Sequence, residues 1–322
     1  MHYLSDDIIY IECKNQKKIS RGMGAVNTLI VVGDKESIII DPGVWTYQYT
    51  ILKKLSKRNV IDSSRIKKVF ISHQHWDHST LASYFQRNFG AKVFSHLEAK
   101  NDLEDEDIML RNFFTGYKFL QEELEKYPLW VMKKAIHFLW GKYRAVRINK
   151  TLKDGEKINQ EVPIEVVELP GHTPGNIGFY FPNEKILLAG DLIDLETGIG
   201  YDLNSPLSSF EQAENSVKRL LDMRINRFIS GHGKIVEGEE NCNALFRQKI
   251  NSSTELRNNI IHALTEEELS LRKLISQITQ KRNIVEYVLN RHVFYCYLES
   301  INKEKNIQFN KRGKKTFMKI VE

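Results

Sequence analysis

The stretch that decides the fold reads Ile71-Ser72-His73-Gln74-His75-Trp76-Asp77-His78-Ser79, with three histidines and one aspartate in six consecutive positions. The residues just before it, Lys68 to Ile71, are apolar and β-branched enough to predict a buried strand. Because alternate side chains of a strand point the same way, His73 and His75 would leave its end side by side, spaced to hold one ion. Asp77 and His78 follow in a turn and can point back towards a second ion. Imidazole and carboxylate groups are ligands of zinc and similar first-row metals, so the stretch predicts a metal site.

Three later stretches offer ligands of the same kind: Gly171-His172-Thr173-Pro174-Gly175, Gly190-Asp191 and Gly231-His232-Gly233. Each follows a short apolar run, which predicts a strand, then a sharp glycine-rich turn that presents the ligand at the strand end. Glycines at such turns permit positive φ and a close approach of backbone to the site. Five of the ten histidines lie in these four stretches, which points to one shared metal centre.

The four motifs together resemble those of the metallo-β-lactamase superfamily, and most closely those of its hydroxyacylglutathione hydrolase (glyoxalase II) branch. The resemblance covers roughly residues 8–240. It implies two divalent metal ions, with Zn²⁺ as the first choice and Fe or Mn as alternatives. It implies this ligand set: His73, His75 and His172 on the first metal, Asp77, His78 and His232 on the second, and Asp191 bridging both.

The fold class that follows is α+β, a four-layer αββα metallo-β-lactamase sandwich with the site at one edge. The sequence by itself supports only a mixture of α and β. We expect a catalytic domain over residues 1–240, with a helical insert or cap at 97–150. Residues 241–322 predict a mostly helical, winged-helix-like appendage: a long helix, a short helix opened by a capping box at Thr265-Glu266-Glu267-Glu268, further helices and a basic hairpin.

The composition is that of an ordinary globular protein, with 41% hydrophobic and 27% charged residues among 322. No apolar run approaches the ~20 residues of a membrane-spanning helix, and residues 1–7 contain no hydrophobic signal segment. Cys13, Cys242 and Cys296 show neither metal spacing nor a paired framework. These features predict a cytoplasmic location, reduced thiols and no membrane partner; a homodimer is left open.

The ligand types predict hydrolysis. Two metals ~3.5–4 Å apart can bridge a water and lower its pKa from about 15.7 towards 7, giving a hydroxide nucleophile for a thioester, ester or lactone. Asp77 is expected both to bind a metal and to accept or deliver a proton. The resemblance also assigns Asp41, in the turn Asp41-Pro42-Gly43, to the catalytic site as a brace of the metal loop.

Two other functions remain open on the motifs alone. One is a nucleic-acid phosphodiesterase similar to ribonuclease Z, since seven basic residues lie in the last 22 positions. The chain shows no additional histidine motif or nucleic-acid clamp, so a small-molecule substrate is preferred. The other is an enzyme similar to the persulfide dioxygenases, which use one iron with a comparable histidine set.

The residues that contact substrate are harder to identify from sequence. Trp76 lies inside the first motif as a wall, core or contact residue. Tyr201 follows the Asp191 loop and can donate a hydrogen bond to a substrate carbonyl, or simply lie on the surface. The aromatic residues of the insert line an apolar acyl pocket, pack the insert onto the body or form a dimer face: Phe113, Phe114, Tyr117, Phe119, Trp130 and Trp140.

Overall fold

The computed structural model describes residues 2–12, 26–45, 48–57, 59–116, 128–140, 143–159, 161–195, 200–205, 207–280, 284–313 and 315–321. Cys13, Tyr117 and Phe119 lie outside these residues, and the side chains of Phe113, Phe114 and Trp140 are not described. The predictions made for them therefore stay predictions.

The first sheet has seven strands in chain order: β1 (His2–Tyr3), β2 (Ile8–Ile11), β3 (Thr28–Val31), β4 (Ser37–Ile40), β5 (Ile66–Phe70), β6 (Lys92–His96) and β7 (Ile148–Leu152). The pairs from β1 to β4 are antiparallel, whereas those from β4 to β7 are parallel. Strand β5 lies inside this sheet and ends at the metal motif. Its last two residues, Val69 and Phe70, are buried on opposite faces, because this end of the strand is covered on both sides, whereas Lys67 near its start is exposed.

The second sheet has six strands: β8 (Lys157–Asn159), β9 (Ile164–Glu168), β10 (Ile177–Phe181), β11 (Ile186–Leu188), β12 (Arg227–Ile229) and β13 (Val236–Glu237). Their spatial order is β13-β12-β11-β10-β9-β8, and within it β11 and β12 run parallel. The two sheets pack face to face over one hydrophobic core. Phe70 of the first sheet and Phe179 of the second meet there with ring centroids 5.7 Å apart.

Helices cover the outer face of the first sheet: α1 (Gln48–Lys57), α2 (Trp76–Ser79), α3 (Ala82–Phe89), α4 (Leu97–Glu104), α5 (Glu106–Gly116) and α6 (Leu129–Trp140). The helical segment expected over 97–150 is interrupted at Asp105, between α4 and α5. Asp105 has extended backbone that ends α4, and its carboxylate accepts from the Asp107 amide, 2.8 Å away, to cap α5. Leu103 and Leu110 are buried in the core beneath this layer. The assignment of residues 97–150 as an insert or cap stays a prediction.

Two more helices complete the fourth layer, outside the second sheet: α7 (Phe210–Leu220) and α8 (Glu239–Glu266). The predicted αββα sandwich is thereby confirmed. The predicted boundary between residues 240 and 241 falls in the first turn of α8, a helix that serves both halves of the chain. The division into a catalytic domain and an appendage stays a prediction.

The C-terminal part follows α8 with β14 (Leu269–Ser270), α9 (Leu271–Thr279), α10 (Ile284–Glu304), β15 (Asn306–Arg312) and β16 (Lys315–Val321). The order is that of a winged helix: one helix (α8), one strand, two helices and two strands. The three strands form a sheet in the order β14-β16-β15. The capping box predicted at Thr265 is wrong. The Thr265 hydroxyl donates to the Ile261 carbonyl, 2.9 Å away, inside the last turns of α8.

The hydrophobic core of the C-terminal part is continuous with that of the sandwich. Phe210 and Leu220 of α7 share one buried cluster with Phe246 of α8, Ile301 of α10 and Met318 of β16. Among the described residues, no helix is both long and apolar enough to span a membrane.

Candidate metal centre

The ligand side chains sit where strands of both sheets end. His73 and His75 follow β5, and Asp77 and His78 lie in α2, whose first residue is Trp76. His172, Asp191 and His232 follow β9, β11 and β12. Because β11 and β12 are parallel neighbours, Asp191 and His232 leave the same sheet edge side by side. The structure thus gathers all seven predicted ligands at one edge of the sandwich.

The first group joins three histidines and Asp191. His75 Nδ1 lies 3.0 Å from His73 Nε2 and 3.0 Å from His172 Nε2. Asp191 Oδ2 lies 3.8 Å from His73 Nε2 and 3.7 Å from His172 Nε2. Three ring nitrogens and one carboxylate oxygen therefore converge on one point, which is the arrangement that a tetrahedral site requires.

The second group joins Asp77, His78 and His232 beside the first. His232 Nε2 lies 3.3 Å from Asp77 Oδ2 and 3.3 Å from Asp191 Oδ2. Asp191 Oδ1 lies 3.3 Å from His78 Nε2. Asp191 thus reaches both groups, as a bridging ligand would.

The residues present fit divalent metal ions. His78 Nε2 and Asp191 Oδ1 are buried and have no hydrogen-bond partner within the part of the chain that the structure describes. A buried polar atom without a partner is costly, and an ion between the two groups would satisfy both atoms. The donor set of five imidazoles and two carboxylates suits zinc and similar first-row metals.

Burial keeps two of the first-group histidines neutral. It lowers the pKa of His75 from 6.5 to about 3, with a further contribution from the neighbouring His172. Burial also places the pKa of His73 well below 6.5, helped by His78 and His75. A neutral imidazole keeps the lone pair that a metal needs, so these nitrogens are ready to bind.

The carboxylates set the opposite preference for His78. Burial alone would lower its pKa, but Asp191 and Asp41 outweigh this and raise it to about 10. Burial likewise opposes the charge of Asp191, yet His232 and His78 hold the pKa of that carboxyl well below 3.8. Without an ion, His78 is therefore an imidazolium ion between two carboxylates, and an ion that binds there displaces its proton.

Asp41 holds the loop of the first motif from beneath. Its carboxylate accepts from the Ser72 amide at 2.7 Å, from the Ser72 hydroxyl at 2.7 Å and from His78 Nδ1 at 2.8 Å. Its own φ is +48°, a left-handed conformation that aspartate tolerates better than most residues. The Thr28 hydroxyl fixes this turn by donating to the Asp41 carbonyl at 2.7 Å. Because Asp41 is fully buried, its contribution is to orient His78 rather than to contact substrate.

The sequence reasoning missed the partners of the first-group histidines. His172 Nδ1 donates to Asp202 Oδ1 at 3.1 Å, which fixes the tautomer with Nε2 facing the site. The Ser205 hydroxyl lies 3.3 Å from His75 Nε2, and the Ser208 hydroxyl donates to the His172 carbonyl at 2.9 Å. These residues lie in an irregular loop without a motif, so no local pattern marks them.

Two asparagines that were also missed hold the other ligand turns. Asn27 donates through its side-chain amide to the carbonyls of Ser230, 2.8 Å away, and Gly233, 2.9 Å away, on either side of His232. Asn176 Oδ1 accepts from the Asp191 amide at 3.3 Å. For Asn176 the sequence offered one signal: this asparagine directly follows the His172 motif and precedes an apolar strand.

Close backbone packing explains the glycine before His232. A Cβ atom at Gly231 would lie 1.9 Å from Asp191 Oδ1 and 2.7 Å from His78 Cε1. Any other residue would displace the bridging carboxylate or the imidazole.

Two of the predicted substrate contacts, Tyr201 and Trp76, are buried in the hydrophobic core. Tyr201 is 1% exposed, and its ring packs against Phe210 with centroids 5.8 Å apart, so the predicted bond to a substrate carbonyl is corrected to a core role. Trp76 is 5% exposed and packs in the core beneath α3, which corrects a substrate contact to a core role. Tyr117 lies outside the described residues, and Trp130 is 60% exposed on α6.

Comparisons with known proteins agree with this site. The sequence model of the metallo-beta-lactamase superfamily matches residues 21–232. Hydroxyacylglutathione hydrolase GloC of Haemophilus influenzae is 24% identical over 209 residues, 64% of this chain and 84% of that protein. Acyl-coenzyme A thioesterase MBLAC2 of Bos taurus is 26% identical over 200 residues, 59% of this chain and 64% of that protein.

A solved structure matches nearly the whole chain. The crystal structure of a metallo-beta-lactamase family protein from Thermus thermophilus superposes with a TM-score of 0.72 at 16% identity, over 98% of this chain and 99% of that one. The family match contains all seven predicted ligand residues, and the expectation of a metal-dependent hydrolase is confirmed. The chain belongs to the metallo-beta-lactamase superfamily.

Proposed function

We propose that the protein is a dinuclear metal hydrolase that cleaves a small acyl thioester, ester or lactone. The observation that carries the proposal is the pair of adjacent ligand groups that share Asp191. Zinc is the proposed metal, since imidazole and carboxylate donors suit it. Two relatives with thioester-related names, a hydroxyacylglutathione hydrolase and an acyl-coenzyme A thioesterase, support the substrate class.

Two bound divalent ions would supply an activated water nucleophile and polarise the substrate carbonyl. The residues of the chain do the rest. Asp202 and Asp41 fix the tautomers of His172 and His78, so that each presents Nε2 to the site. Burial would raise the pKa of Asp77, but its hydrogen bond with His232 outweighs this and lowers it. Asp77 is therefore ionised near neutral pH, and it can bind a metal and accept a proton that the reaction releases.

The C-terminal part favours this function over a nucleic-acid phosphodiesterase. In helix-turn-helix proteins the second helix of the motif enters the major groove, and in this chain that helix is α10. Between residues 290 and 301 of α10, only the side chains of Arg291, Tyr295 and Glu299 reach the solvent, and the others are buried. Tyr297 packs against Phe210 of α7 with ring centroids 4.7 Å apart. Over residues 290–301, α10 therefore presents one narrow stripe of mixed charge, which offers little surface for reading bases.

We also propose a cytoplasmic location. Cys242 and Cys296 are both buried, and within the described residues no disulfide joins them. Reduced, buried cysteines are typical of a reducing compartment.

The test combines metal analysis with a substrate panel. Protein purified without chelator and reconstituted with zinc should hold close to two ions per chain. It should hydrolyse thioesters of coenzyme A or glutathione, or lactones, in a metal-dependent way. Asp191→Asn should lose most of this activity, whereas Asp222→Asn, which changes an exposed aspartate, should keep it.

Three results would contradict the proposal. A single bound ion after reconstitution would remove the dinuclear claim. One iron per chain with oxygen consumption on a persulfide would indicate the dioxygenase alternative. Efficient cleavage of RNA or DNA at physiological salt, with no turnover of esters or thioesters, would indicate the phosphodiesterase.

A further inference from the structure

A buried lysine links the C-terminal part to the loop of the bridging ligand. Lys249 lies on the inward face of α8, one turn after Phe246 and one turn before Ser253, and is 5% exposed. Its Nζ donates to the Asp194 carbonyl at 2.6 Å. Asp194 is three residues beyond Asp191, so α8 contacts the loop that carries the shared carboxylate.

The carbonyls of this loop are held one after another. The Gly231 amide donates to Gly190 O at 2.7 Å, and the Asp202 amide donates to Leu192 O at 3.2 Å. The Ser230 hydroxyl donates to Ile193 O at 2.6 Å, and the Lys249 ammonium donates to Asp194 O. Three of these four donors belong to the catalytic half, and the fourth comes from α8. The position of Asp191 thus depends on a residue beyond the sandwich strands.

Burying the Lys249 ammonium group is energetically unfavourable, and one hydrogen bond to a carbonyl does not offset the loss of hydration. Lysine is almost never fully buried unless it is paired, because its charge loses hydration. Burial lowers the pKa of Lys249, and the carboxylates of Asp194 and Asp202 oppose that decrease. The charge therefore sits in the field of the Asp194 and Asp202 carboxylates. An apolar residue of the same length would pack equally well but would not supply this charge.

We propose that Lys249 is a positioning residue of the metal centre, holding residues 191–195 and Asp202 in the geometry that binds metal. The inference rests on the proposed metal centre and extends it to the C-terminal part. The hydrogen bond that the structure gives to the Lys249 ammonium goes to the Asp194 carbonyl and not to a predicted metal ligand. It acts through the loop backbone and through the charge that it places beside Asp202, the partner of His172.

The test uses Lys249→Met, which removes the charge and keeps the length, and Lys249→Gln, which keeps a donor without the charge. Lys273→Met, at an exposed position of α9, is the matched control. Replacing a buried charge by an apolar group is often neutral or stabilising. We therefore expect metal-free Lys249→Met to melt at or above the wild-type temperature. Its zinc affinity, measured by competition with a chromophoric chelator, should fall about tenfold or more.

A second readout does not depend on metal. Hydrogen exchange of the metal-free proteins should be faster in residues 191–195 and 200–205 of Lys249→Met than of wild type, while α8 stays protected. If Lys249→Gln restores slow exchange but not zinc affinity, the charge acts in addition to the hydrogen bond.

The outcomes separate the two proposals. Failure of the wild type to bind two ions would count against the metal centre. Hydrogen exchange of the metal-free proteins would then still test whether Lys249 holds the loop. Wild-type zinc affinity and exchange in Lys249→Met would overturn the role of Lys249. A parallel loss of stability and affinity would show that Lys249 is merely structural and would also overturn it.

Discussion

At the scale of single residues, the histidines of the metal centre differ in protonation although they are neighbours. His73 and His75 are held neutral by burial, whereas His78 is held protonated by Asp41 and Asp191. Burial would lower the pKa of His172 too, but Asp202 outweighs it and raises the pKa. Which effect dominates depends on whether a carboxylate lies within hydrogen-bond distance of the ring.

The metal-free protein should be most stable near pH 6.5–7. An unfolded histidine has a pKa of about 6.5. Below pH 6.5 these histidines bind protons in the unfolded chain, whereas the buried His73 and His75 of the folded protein stay neutral. The free energy of unfolding therefore falls as the pH drops towards about 3, the pKa of His75 in the folded protein. His78 acts in the opposite sense: its contribution is complete below about 6.5 and is lost as the pH rises towards its folded value of about 10. Urea unfolding in chelator between pH 5 and 9 measures both arms.

Two variants identify the source of the acid arm. His75→Gln should flatten the decrease in stability between pH 7 and pH 5, because the unfolded state then binds one proton fewer relative to the folded state. His262→Gln, at an exposed position of α8, should leave the slope unchanged. A stability that does not vary between pH 5 and pH 7 in the wild type would contradict the protonation states assigned above.

At the scale of elements, each ligand turn is held by a segment distant in sequence. The turn with His232 depends on Asn27, about 200 residues earlier at the start of β3, and the Tyr10 hydroxyl donates to Asn27 Oδ1 at 2.9 Å to orient that amide. The backbone amide of Asn27 also donates to Gly231 O at 2.7 Å. Strand β3 of one sheet therefore positions a ligand of the other.

Asn27→Ala should weaken the second metal more than the first. The substitution removes both side-chain bonds to the His232 turn, and loss of such a supporting contact typically costs 10–100-fold in metal affinity. A zinc titration against a competing chelator would resolve the two binding steps. Asn88→Ala is the control, because its amide donates only locally, to the Tyr84 carbonyl at 2.8 Å on the surface of α3. Equal loss at both steps would indicate a general structural defect instead.

The difference between local and distant contacts explains what the sequence could predict. The strands that end in His73, His172, Asp191 and His232 were predictable, because an apolar run followed by glycine is a local pattern. Asn27, Asp202 and Lys249 act across the fold, and their neighbours in sequence carry no sign of it. Even a local pattern misled at Thr265, because burial of the last turns of α8 extended the helix past the expected cap.

At the scale of the whole molecule, the basic end of the chain is part of a folded sheet. Ile307 and Met318 are buried in the core shared with the sandwich, so deleting this end would damage the fold as well as remove charge. Arg312 is committed to Glu268 in an ion pair and lies over the Phe317 ring. A test of nucleic-acid binding must therefore change surface lysines and leave the strands in place.

Replacing Lys305, Lys311 and Lys319 by Gln should leave thioester or ester hydrolysis within about twofold of wild type. Any retention on nucleic acid should weaken and lose salt dependence, because each phosphate contact contributes a slope of roughly 0.9 in log affinity against log salt on duplex DNA. Gln at Lys53, Lys54 and Lys92 makes the same charge change on the opposite half of the chain and serves as the control. A loss of catalysis confined to the first triple variant would show that the wing takes part in the reaction.

The continuous core between α7, α8 and β16 also bears on ancestry. A module that buries its own core can be exchanged between genes, because both fragments stay folded when the chain is cut. In this protein a break near residue 240 would expose the apolar side of Phe210 and Leu220 on one fragment and of Phe246 on the other. Each fragment would then carry apolar surface that the whole chain buries, so we expect either fragment alone to be less soluble than the intact protein.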